Sequence, residues 1–339
     1  MTSSRITIKD VARAAGVSVT TVSHALNGKG DASVTTAERV RAIATELGYR
    51  PSSTARALQR GGLGSIALVI PRDESHEISR EILALDYYMA VASSAAAAAF
   101  AAERPLVLPP LLRTADDWRL INADGVILVD PEAQDPTIDL LAELNTPVVT
   151  IERDEARPDW VHYVAGDNAT NTTMVLDHLL AQGATRIALL STDWARAWST
   201  EIDTAYADWC TSHGLPNLRT PVPAELAHRD AALVTGQLLD SATPPDAIYA
   251  PAEGYAGGVL RACRDRGLRV PEDLLLVSGN DGRATRESNP PVTAIDLDPI
   301  RQTEAAVAML VDLIDGRHPE VPVRLSSRLL VRESSTRQQ

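Results

Sequence analysis

Several polar side chains lie close together in one short segment and offer different kinds of hydrogen-bonding group. They are Thr20, Thr21, Ser23, His24 and Asn27. If the segment is a helix with Val19, Val22 and Leu26 facing inward or along its edge, these polar groups share one face. Hydroxyl, imidazole and amide groups hydrogen-bond to the edges of DNA bases and to phosphate oxygens. The chemistry predicted for this face is recognition of nucleic acid.

The segment before it predicts the element that would hold this face in place. Four apolar residues recur there at helical spacing: Ile8, Val11, Ala12 and Ala15. Thr7 and Asp10 resemble a capping box, with Asp in place of the usual Glu. Gly16 supplies a turn because glycine accepts the left-handed backbone, and Ser18 can cap the helix that follows. Two short helices joined by a tight turn are the unit that places a helix in the DNA major groove.

A third helix and a hinge follow this pair. Thr35 and Glu38 suggest a capping box ahead of apolar residues at helical spacing, and this helix is predicted to end near Gly48. Residues 49–62 then contain a proline, a helix-prone run of at most two turns and a glycine pair, a pattern typical of a hinge. An isolated helix this short is not stable in water because nucleation costs too much. DNA together with a second copy of the chain is one partner that would stabilise it.

Residues 7–58 resemble the DNA-binding headpiece of the LacI/GalR transcription repressors. The matching motifs are Asp10-Val11-Ala12, Ala15-Gly16-Val17-Ser18, Thr21-Val22-Ser23, Leu26-Asn27, Leu47-Gly48-Tyr49-Arg50-Pro51 and Ala55-Arg56-Ala57-Leu58. The resemblance implies that Val19, Thr20 and His24 meet bases. It also implies that Ala55 and Leu58 enter the minor groove as apolar wedges. The full set of predicted DNA contacts is Thr7, Ser18, Val19, Thr20, Thr21, Ser23, His24, Asn27, Thr36, Tyr49, Ala55 and Leu58.

One departure from the family pattern concerns the bases that are read. Many relatives carry arginine where this chain has His24. Arginine makes a bidentate contact with guanine, and we expect that contact to be absent here.

The charge is divided unevenly along the chain. Residues 1–62 contain nine Lys and Arg and four Asp and Glu, which gives this segment a net charge of +5. Because the whole chain has a net charge of −13, residues 63–339 carry a net charge of −18. A basic N-terminal segment can neutralise DNA phosphates, while the acidic remainder of the chain is repelled by DNA. Cys210 and Cys263 form no cluster with histidine, so we expect no disulfide, no metal site and no cofactor. The absence of a signal region and of a long apolar run predicts a cytoplasmic protein without a membrane span.

From residue 63 onward, short apolar runs alternate with helical stretches. The candidate strands span residues 66–70, 125–129, 148–151, 187–190, 247–250, 274–278 and 292–295. Apolar strands separated by capped helices predict parallel sheets covered on both faces. Motifs such as Asp124-Gly125-Val126-Ile127-Leu128, Gly267-Leu268-Arg269-Val270-Pro271 and Arg332-Glu333-Ser334-Ser335 resemble the effector-binding core of the same family.

That resemblance implies a fold similar to periplasmic sugar-binding proteins. In it, two α/β lobes joined by three crossovers close on a small molecule at the carboxyl ends of the strands. We therefore expect an all-α helix-turn-helix headpiece with a hinge helix over residues 1–62. A two-lobed α/β core like that of periplasmic binding proteins, which also dimerises, would follow over residues 63–339. By analogy, lobe 1 would hold roughly residues 63–163 and 290–322, and lobe 2 roughly 164–289 and 323–339.

The predicted effector-binding residues are Glu152, Asp167, Trp198, Glu253 and Asp281. Asp281 matches the family's pocket aspartate, Glu152 stands where a pocket aspartate can occur, and Trp198 offers a stacking face. Two alternatives stay open: Asp167 as a helix N-cap and Glu253 as a solvated loop charge.

The pocket also departs from the family pattern. Relatives usually carry arginine and glycine where this chain has Ile202 and Ala205, so the arginine clamp is missing unless Arg196 supplies it. Four carboxylates without that arginine suit a neutral polyol or a cation better than an anion.

These observations predict a homodimeric repressor that binds a near-palindromic operator and is modulated by a small polar effector such as a sugar. The alternative is a dimeric DNA-binding regulator whose core no longer binds a small molecule. A free solute-binding protein would carry an export signal and no helix-turn-helix. An enzyme is disfavoured because the chain has no Gly-x-Ser-x-Gly elbow, P-loop or His-Glu-x-x-His motif. No heptad tail follows residue 335, which favours a dimer over a tetramer.

Overall fold

The computed structural model describes residues 6–27, 33–47, 49, 64–71, 85–121, 123–192, 196–223 and 227–337. The chain divides into two compact units, Met1–Leu63 and Gly64–Gln339. The predicted hinge helix, with Ala55 and Leu58, lies outside the described residues, and so does the side chain of Asn27. Among the helices in these ranges, none combines the length and apolar character needed to span a membrane.

The first unit contains the predicted helix-turn-helix and a third helix. Its helices are α1 (Ile8–Ala15), α2 (Val19–Asn27) and α3 (Val34–Glu46). Gly16, with a φ of 62°, ends α1 in the left-handed conformation. The Asp10 carboxylate accepts a hydrogen bond from the backbone N–H of Thr7 at 2.9 Å, as the predicted capping box requires. Three fully buried valines, one from each helix, form the centre of the core: Val11, Val22 and Val40.

The start of α3 differs from the prediction. Its N-cap is Ser33, whose Oγ accepts a hydrogen bond from the backbone N–H of Thr36 at 3.3 Å. The predicted capping box of Thr35 and Glu38 is therefore wrong. Ser33 has the non-helical ψ of 150° that an N-cap needs, whereas Thr35 already lies inside the helix.

The second unit alternates twelve strands with nine helices in the described residues. The strands are β1 (Ile66–Val69), β2 (Leu106–Val107), β3 (Gly125–Val129), β4 (Val148–Ile151), β5 (Tyr163–Gly166), β6 (Ile187–Thr192), β7 (Leu218–Val222), β8 (Ala247–Ala250), β9 (Leu275–Ser278), β10 (Thr293–Asp296), β11 (Val323–Leu325) and β12 (Arg328–Leu330). The helices are α4 (Asp86–Ala101), α5 (Ala115–Ile121), α6 (Pro136–Glu143), α7 (Asn168–Ala181), α8 (Ala197–His213), α9 (Ala227–Leu239), α10 (Tyr255–Asp265), α11 (Arg283–Arg286) and α12 (Pro299–Ile314).

The strands form two six-stranded sheets, one in each lobe. Their orders are β11-β5-β4-β3-β1-β2 in lobe 1 and β12-β10-β9-β8-β6-β7 in lobe 2. All neighbouring pairs run parallel except β10 and β12. The chain crosses between the lobes after β5, after β10 and after β11. The predicted two-lobed parallel α/β core is thus confirmed.

The lobe boundaries lie elsewhere than predicted. The predicted assignment of residues 290–322 to lobe 1 is wrong for β10, which pairs with β9 of lobe 2. The assignment of residues 323–339 to lobe 2 is wrong for β11, which pairs with β5 of lobe 1. The cut between residues 163 and 164 runs through β5 itself. The cause is that a short strand carries no local signal for which sheet it joins.

Candidate DNA-binding surface and interlobe cleft

Helix α2 presents a solvent-facing side that is held by a buried side. Val22 and Ala25 pack into the headpiece core and are almost fully buried. Val19, Thr20 and His24 are exposed, and Val19 retains 40% of its accessible surface despite being apolar. An exposed valine beside a hydroxyl and an imidazole gives this side both an apolar contact for a thymine methyl group and polar groups for base edges.

Other predicted DNA contacts lie where helices begin. Ser18 Oγ accepts a hydrogen bond from the backbone N–H of Thr21 at 3.0 Å and pairs with the Thr21 hydroxyl at 2.8 Å. The Thr7 hydroxyl donates to Asp10 at 2.7 Å, and that bond lowers the pKa of Asp10. The Thr36 hydroxyl pairs with that of Ser33 at 2.9 Å. Helix starts are favourable places for phosphate oxygens because backbone N–H groups and the helix dipole point there.

Two further predicted contacts lie partly in the headpiece interior. Tyr49 is half-buried and packs against the headpiece core, which leaves part of its surface for a phosphate contact. Ser23 is half-buried on α2. Both therefore contribute to the fold of the headpiece as well as to its surface.

Two buried carboxyl groups stand at the carboxyl ends of neighbouring lobe 1 strands. Asp130 directly follows β3 and Glu152 directly follows β4, with relative exposures of 6% and 7%. Glu152 accepts hydrogen bonds from the backbone N–H of Gly166 at 3.2 Å and from Asn168 Nδ2 at 3.4 Å. Asp130 accepts one from the Tyr88 hydroxyl at 2.6 Å. This edge of a parallel sheet is where α/β proteins bind small molecules.

Burial controls the protonation of this pair. It raises the pKa of Glu152 to about 8, and the nearby charge of Asp130 adds to the effect. Burial also raises the pKa of Asp130, although the Tyr88 hydroxyl and Arg196 oppose it. Two carboxyl groups in one desolvated site do not both ionise readily, so a protonated Glu152 is favoured at neutral pH.

Side chains of lobe 2 cross the cleft to this edge. Arg196, whose side chain is 11% exposed, donates from Nη1 to the Asp130 carbonyl oxygen and from Nη2 to Glu132 Oε1 at 3.1 Å. Arg153 of lobe 1 donates from Nε to Glu201 Oε1 at 2.6 Å. Arg196 therefore reaches the cleft, as the sequence left open, but its guanidinium binds protein groups there.

Three predicted effector residues make contacts with other protein groups. Asp167 is the N-cap of α7, because its Oδ1 accepts from the backbone N–H of Thr170 at 3.0 Å. Trp198 is half-buried against the lobe 2 core. Asp281 is bound by Arg332 at 2.8 Å and by Arg286 at 3.0 Å.

The ion pairs of Asp281 also change its protonation. Burial disfavours its charged form, but the two guanidinium groups outweigh burial and lower its pKa. Its charge is thereby balanced within lobe 2.

Glu253 is neither a solvated loop charge nor a free cleft carboxylate. Its Oε1 accepts from the backbone N–H of Asp86 at 2.7 Å, and its Oε2 accepts from that of Tyr87 at 3.2 Å. Both donors belong to lobe 1, so Glu253 bridges the lobes.

Sequence reasoning missed several members of the cleft. Asp130 had a usable signal, because it directly follows an apolar strand whose carboxyl end faces the cleft. Glu201 and Asn168 had none, since they lie in helices and meet Glu152 or Arg153 only in the folded chain. Within the described residues, no group of three or more His, Cys, Asp or Glu side chains has the arrangement of a metal site.

Two family models match separate parts of the chain. The model described as bacterial regulatory proteins, lacI family, matches residues 7–52, and the model described as a periplasmic binding protein-like domain matches residues 176–335. The HTH-type transcriptional regulator CelR of Thermobifida fusca is 29% identical, over 97% of this chain and 98% of that protein. The HTH-type transcriptional repressor PurR of Pasteurella multocida is 24% identical, over 97% of this chain and 98% of that protein.

Solved structures show the same fold. The lac repressor dimer bound to operator and the anti-inducer ONPF superposes with a TM-score of 0.84 at 23% identity, covering 98% of this chain and 100% of that one. A CelR–cellobiose complex superposes with a TM-score of 0.70 at 26% identity, covering 97% of this chain and 100% of that one.

Proposed function

The chain belongs to the LacI/GalR family of DNA-binding transcriptional regulators, and we propose that it binds a near-palindromic operator as a homodimer under the control of a small polar effector. The observation that carries the proposal is α2, whose Val22 side is locked into the headpiece core while Val19, Thr20 and His24 face solvent. A rigid helix with an exposed mixed face is what base readout in the major groove requires. Regulation of transcription in the cytoplasm, without catalysis of a reaction, is the activity we propose.

A second copy of the chain has a suitable surface on α4. Met89 and Phe100 retain 48% and 85% of their accessible surface, and Ser93, Ala96 and Ala97 are exposed between them on the same side. Small residues flanked by two large apolar side chains allow two such helices to approach closely. Exposed apolar patches of this kind mark interaction surfaces in soluble proteins. A dimer would place two headpieces on two half-sites, and its two-fold symmetry predicts a near-palindromic operator.

The interlobe cleft supports an effector with hydroxyl groups. Glu152 and Asp130 provide buried acceptors, and a protonated Glu152 also provides a donor. Polyols hydrogen-bond to such mixed groups without bringing a charge into the site. The structure of CelR, which is similar to this chain, was determined in complex with cellobiose, so we propose a sugar as the effector class.

One observation supports the alternative, a core that binds no small molecule. Ile202 is buried in the lobe 2 core in place of the family's arginine, and Arg196 already bonds to protein groups across the cleft. Isothermal titration calorimetry with a panel of neutral sugars, acidic sugars and polyamines distinguishes a core that binds an effector from a core that binds no small molecule. Saturable heat with a neutral sugar supports the effector, and no heat across the panel supports the alternative.

The DNA-binding proposal is tested by selection from a random duplex pool, followed by anisotropy titration of the selected duplex at two salt concentrations. We expect a palindrome that binds at least 100-fold more tightly than random duplex, with both affinities falling as salt rises. Equal affinity for selected and random duplex would refute sequence-specific regulation.

His24→Arg serves as a probe of base reading, and Arg41→Lys, an exposed substitution on α3, serves as its matched control. We expect His24→Arg to shift the selected half-site toward guanine at one position, because arginine contacts guanine bidentately. The control should leave the half-site unchanged. An unchanged motif for both variants would remove His24 from the base-reading set.

A further inference from the structure

Glu253 holds the first turn of a helix that belongs to the other lobe. It lies between β8 and α10 in lobe 2, and its two carboxylate oxygens accept from the backbone N–H groups of Asp86 and Tyr87 at 2.7 and 3.2 Å. These donors open α4 in lobe 1, where the first N–H groups have no partner inside the helix. Asn280 Nδ2 donates to Glu253 Oε2 at 2.7 Å and thereby fixes the carboxylate.

Asp86 makes the reciprocal contact. Its Oδ2 accepts from the backbone N–H of Arg283, the first residue of α11 in lobe 2. Each lobe therefore supplies a carboxylate to a helix start of the other lobe. The two contacts lie side by side because Asp86 takes part in both.

The backbone at this point leaves no spare room. A Cβ added at Gly282 would lie 2.9 Å from Asp86 Oδ2, inside normal contact distance. The φ of Gly282 is −136°, so any residue could adopt its backbone, and the glycine is needed for the close approach alone. The lobes are thus in direct contact here in the arrangement described.

These bonds exist only over a narrow range of lobe positions. A hydrogen bond is lost once donor and acceptor separate by more than about 3.5 Å, so a shift of 1–2 Å between the lobes breaks all three. These three hydrogen bonds therefore stabilise the described arrangement of the lobes and no other. A contact made in one arrangement alone shifts the balance between that arrangement and any other.

We propose that Glu253 and Asp86 form an interlobe latch that stabilises this lobe arrangement and thereby sets operator affinity. The proposal rests on the proposed function, since the consequence for the operator requires a DNA-binding regulator. An effector in the cleft then acts with or against the latch, according to the arrangement that it prefers.

Distances between spin labels measure the lobe arrangement without DNA or effector. Labels at Asp116→Cys in lobe 1 and Asp265→Cys in lobe 2 are suitable, because those side chains are 87% and 60% exposed. The two natural cysteines are buried and can stay in place. Labelled chain is mixed with excess unlabelled chain, so that one labelled protomer is observed in each dimer.

The variants form a graded series with a matched control. Glu253→Gln keeps the shape and one acceptor oxygen, Glu253→Ala removes both acceptors, and Asp86→Asn weakens the reciprocal contact. Glu272→Gln removes an exposed lobe 2 carboxylate and serves as the control. Circular dichroism verifies that each variant is folded, and Glu253→Gln carries the test if the alanine variant does not fold.

We expect a single narrow distance in the parent chain and in Glu272→Gln. A second distance should appear in Glu253→Gln, and the fraction of molecules at that second distance should be several-fold larger in Glu253→Ala. Unchanged distances in folded Glu253→Gln and Asp86→Asn overturn the latch. On the selected duplex, we expect the same variants to change the operator Kd at least threefold in the same order. An altered distance with an unchanged Kd overturns the link to the operator, whereas loss of specific binding by the parent chain overturns only the proposed function.

Discussion

Glu152→Gln should remove much of the pH dependence of the core's stability. Glu152 is 7% exposed in the interlobe cleft, and burial raises its pKa from 4.5 to about 8. Glutamine reproduces the protonated carboxyl group in shape and in neutrality. The variant therefore resembles the parent chain at pH 5 and lacks the charge that the parent must bury at higher pH.

The sign follows from proton binding. Between pH 4.5 and 8 the folded chain keeps the proton on Glu152 and the unfolded chain releases it, so the folded state binds more protons. The free energy of unfolding then falls as pH rises, by up to about 1.4 kcal/mol per pH unit. Between pH 5 and 7.5 the loss amounts to about 3 kcal/mol, which corresponds to a Tm lower by roughly 6–12 °C for a core of this size.

Thermal unfolding followed by circular dichroism at half-unit steps from pH 5 to 9 measures this effect. Glu320→Gln, which removes an exposed carboxyl group, is the matched control and should follow the parent chain. We expect the parent and Glu152→Gln curves to agree near pH 5 and to diverge above it, with the variant more stable. Parallel curves across the whole range would refute a raised pKa for Glu152.

Four further substitutions, measured by urea unfolding, test the packing and capping described above. Gly279→Ala places a Cβ 2.5 Å from the backbone of Pro251 and should cost the core roughly 1–3 kcal/mol; an unchanged midpoint would contradict that close approach. Val40→Ala should cost the headpiece about 2–3 kcal/mol and weaken operator binding while the core unfolds as before, and a fully stable headpiece would contradict the burial of Val40. Ser33→Ala should cost about 1 kcal/mol and Thr35→Ala much less, whereas the reverse order would restore the capping box predicted from sequence.

The fold was predictable where local patterns are strong. The headpiece helices follow from apolar spacing and from Gly16, and the central strands β3, β4, β8 and β9 follow from short, mostly apolar runs that are fully buried. The edge strand β7 was missed because it contains Arg219, Thr220 and Pro221 and is only partly buried. Strand β2 was missed because it has two residues.

The site was less predictable because its contacts join distant parts of the chain. Glu152 was predicted from the family resemblance, whereas Asp130, which also directly follows an apolar strand, was missed. The lobe 1 backbone groups that bind Glu253 lie more than 160 residues earlier in sequence, and the arginines that neutralise Asp281 follow it by 5 and 51 residues. No local pattern indicates whether a carboxylate will meet a helix start, a guanidinium group or a cleft. Tertiary contacts decided each case.

The position of the last two strands in the sequence affects how the chain folds during translation. Strands β11 and β12 are separated by two residues, yet β11 completes the sheet of lobe 1 and β12 that of lobe 2. While the ribosome is still translating the preceding residues, both sheets have an unpaired edge next to β5 and β10, and such edges invite pairing with other chains. Neither lobe can finish folding on the nascent chain before residues 323–330 emerge. A chain truncated before residue 323 would leave an unpaired sheet edge in both lobes, and both lobes would then be prone to aggregation and proteolysis.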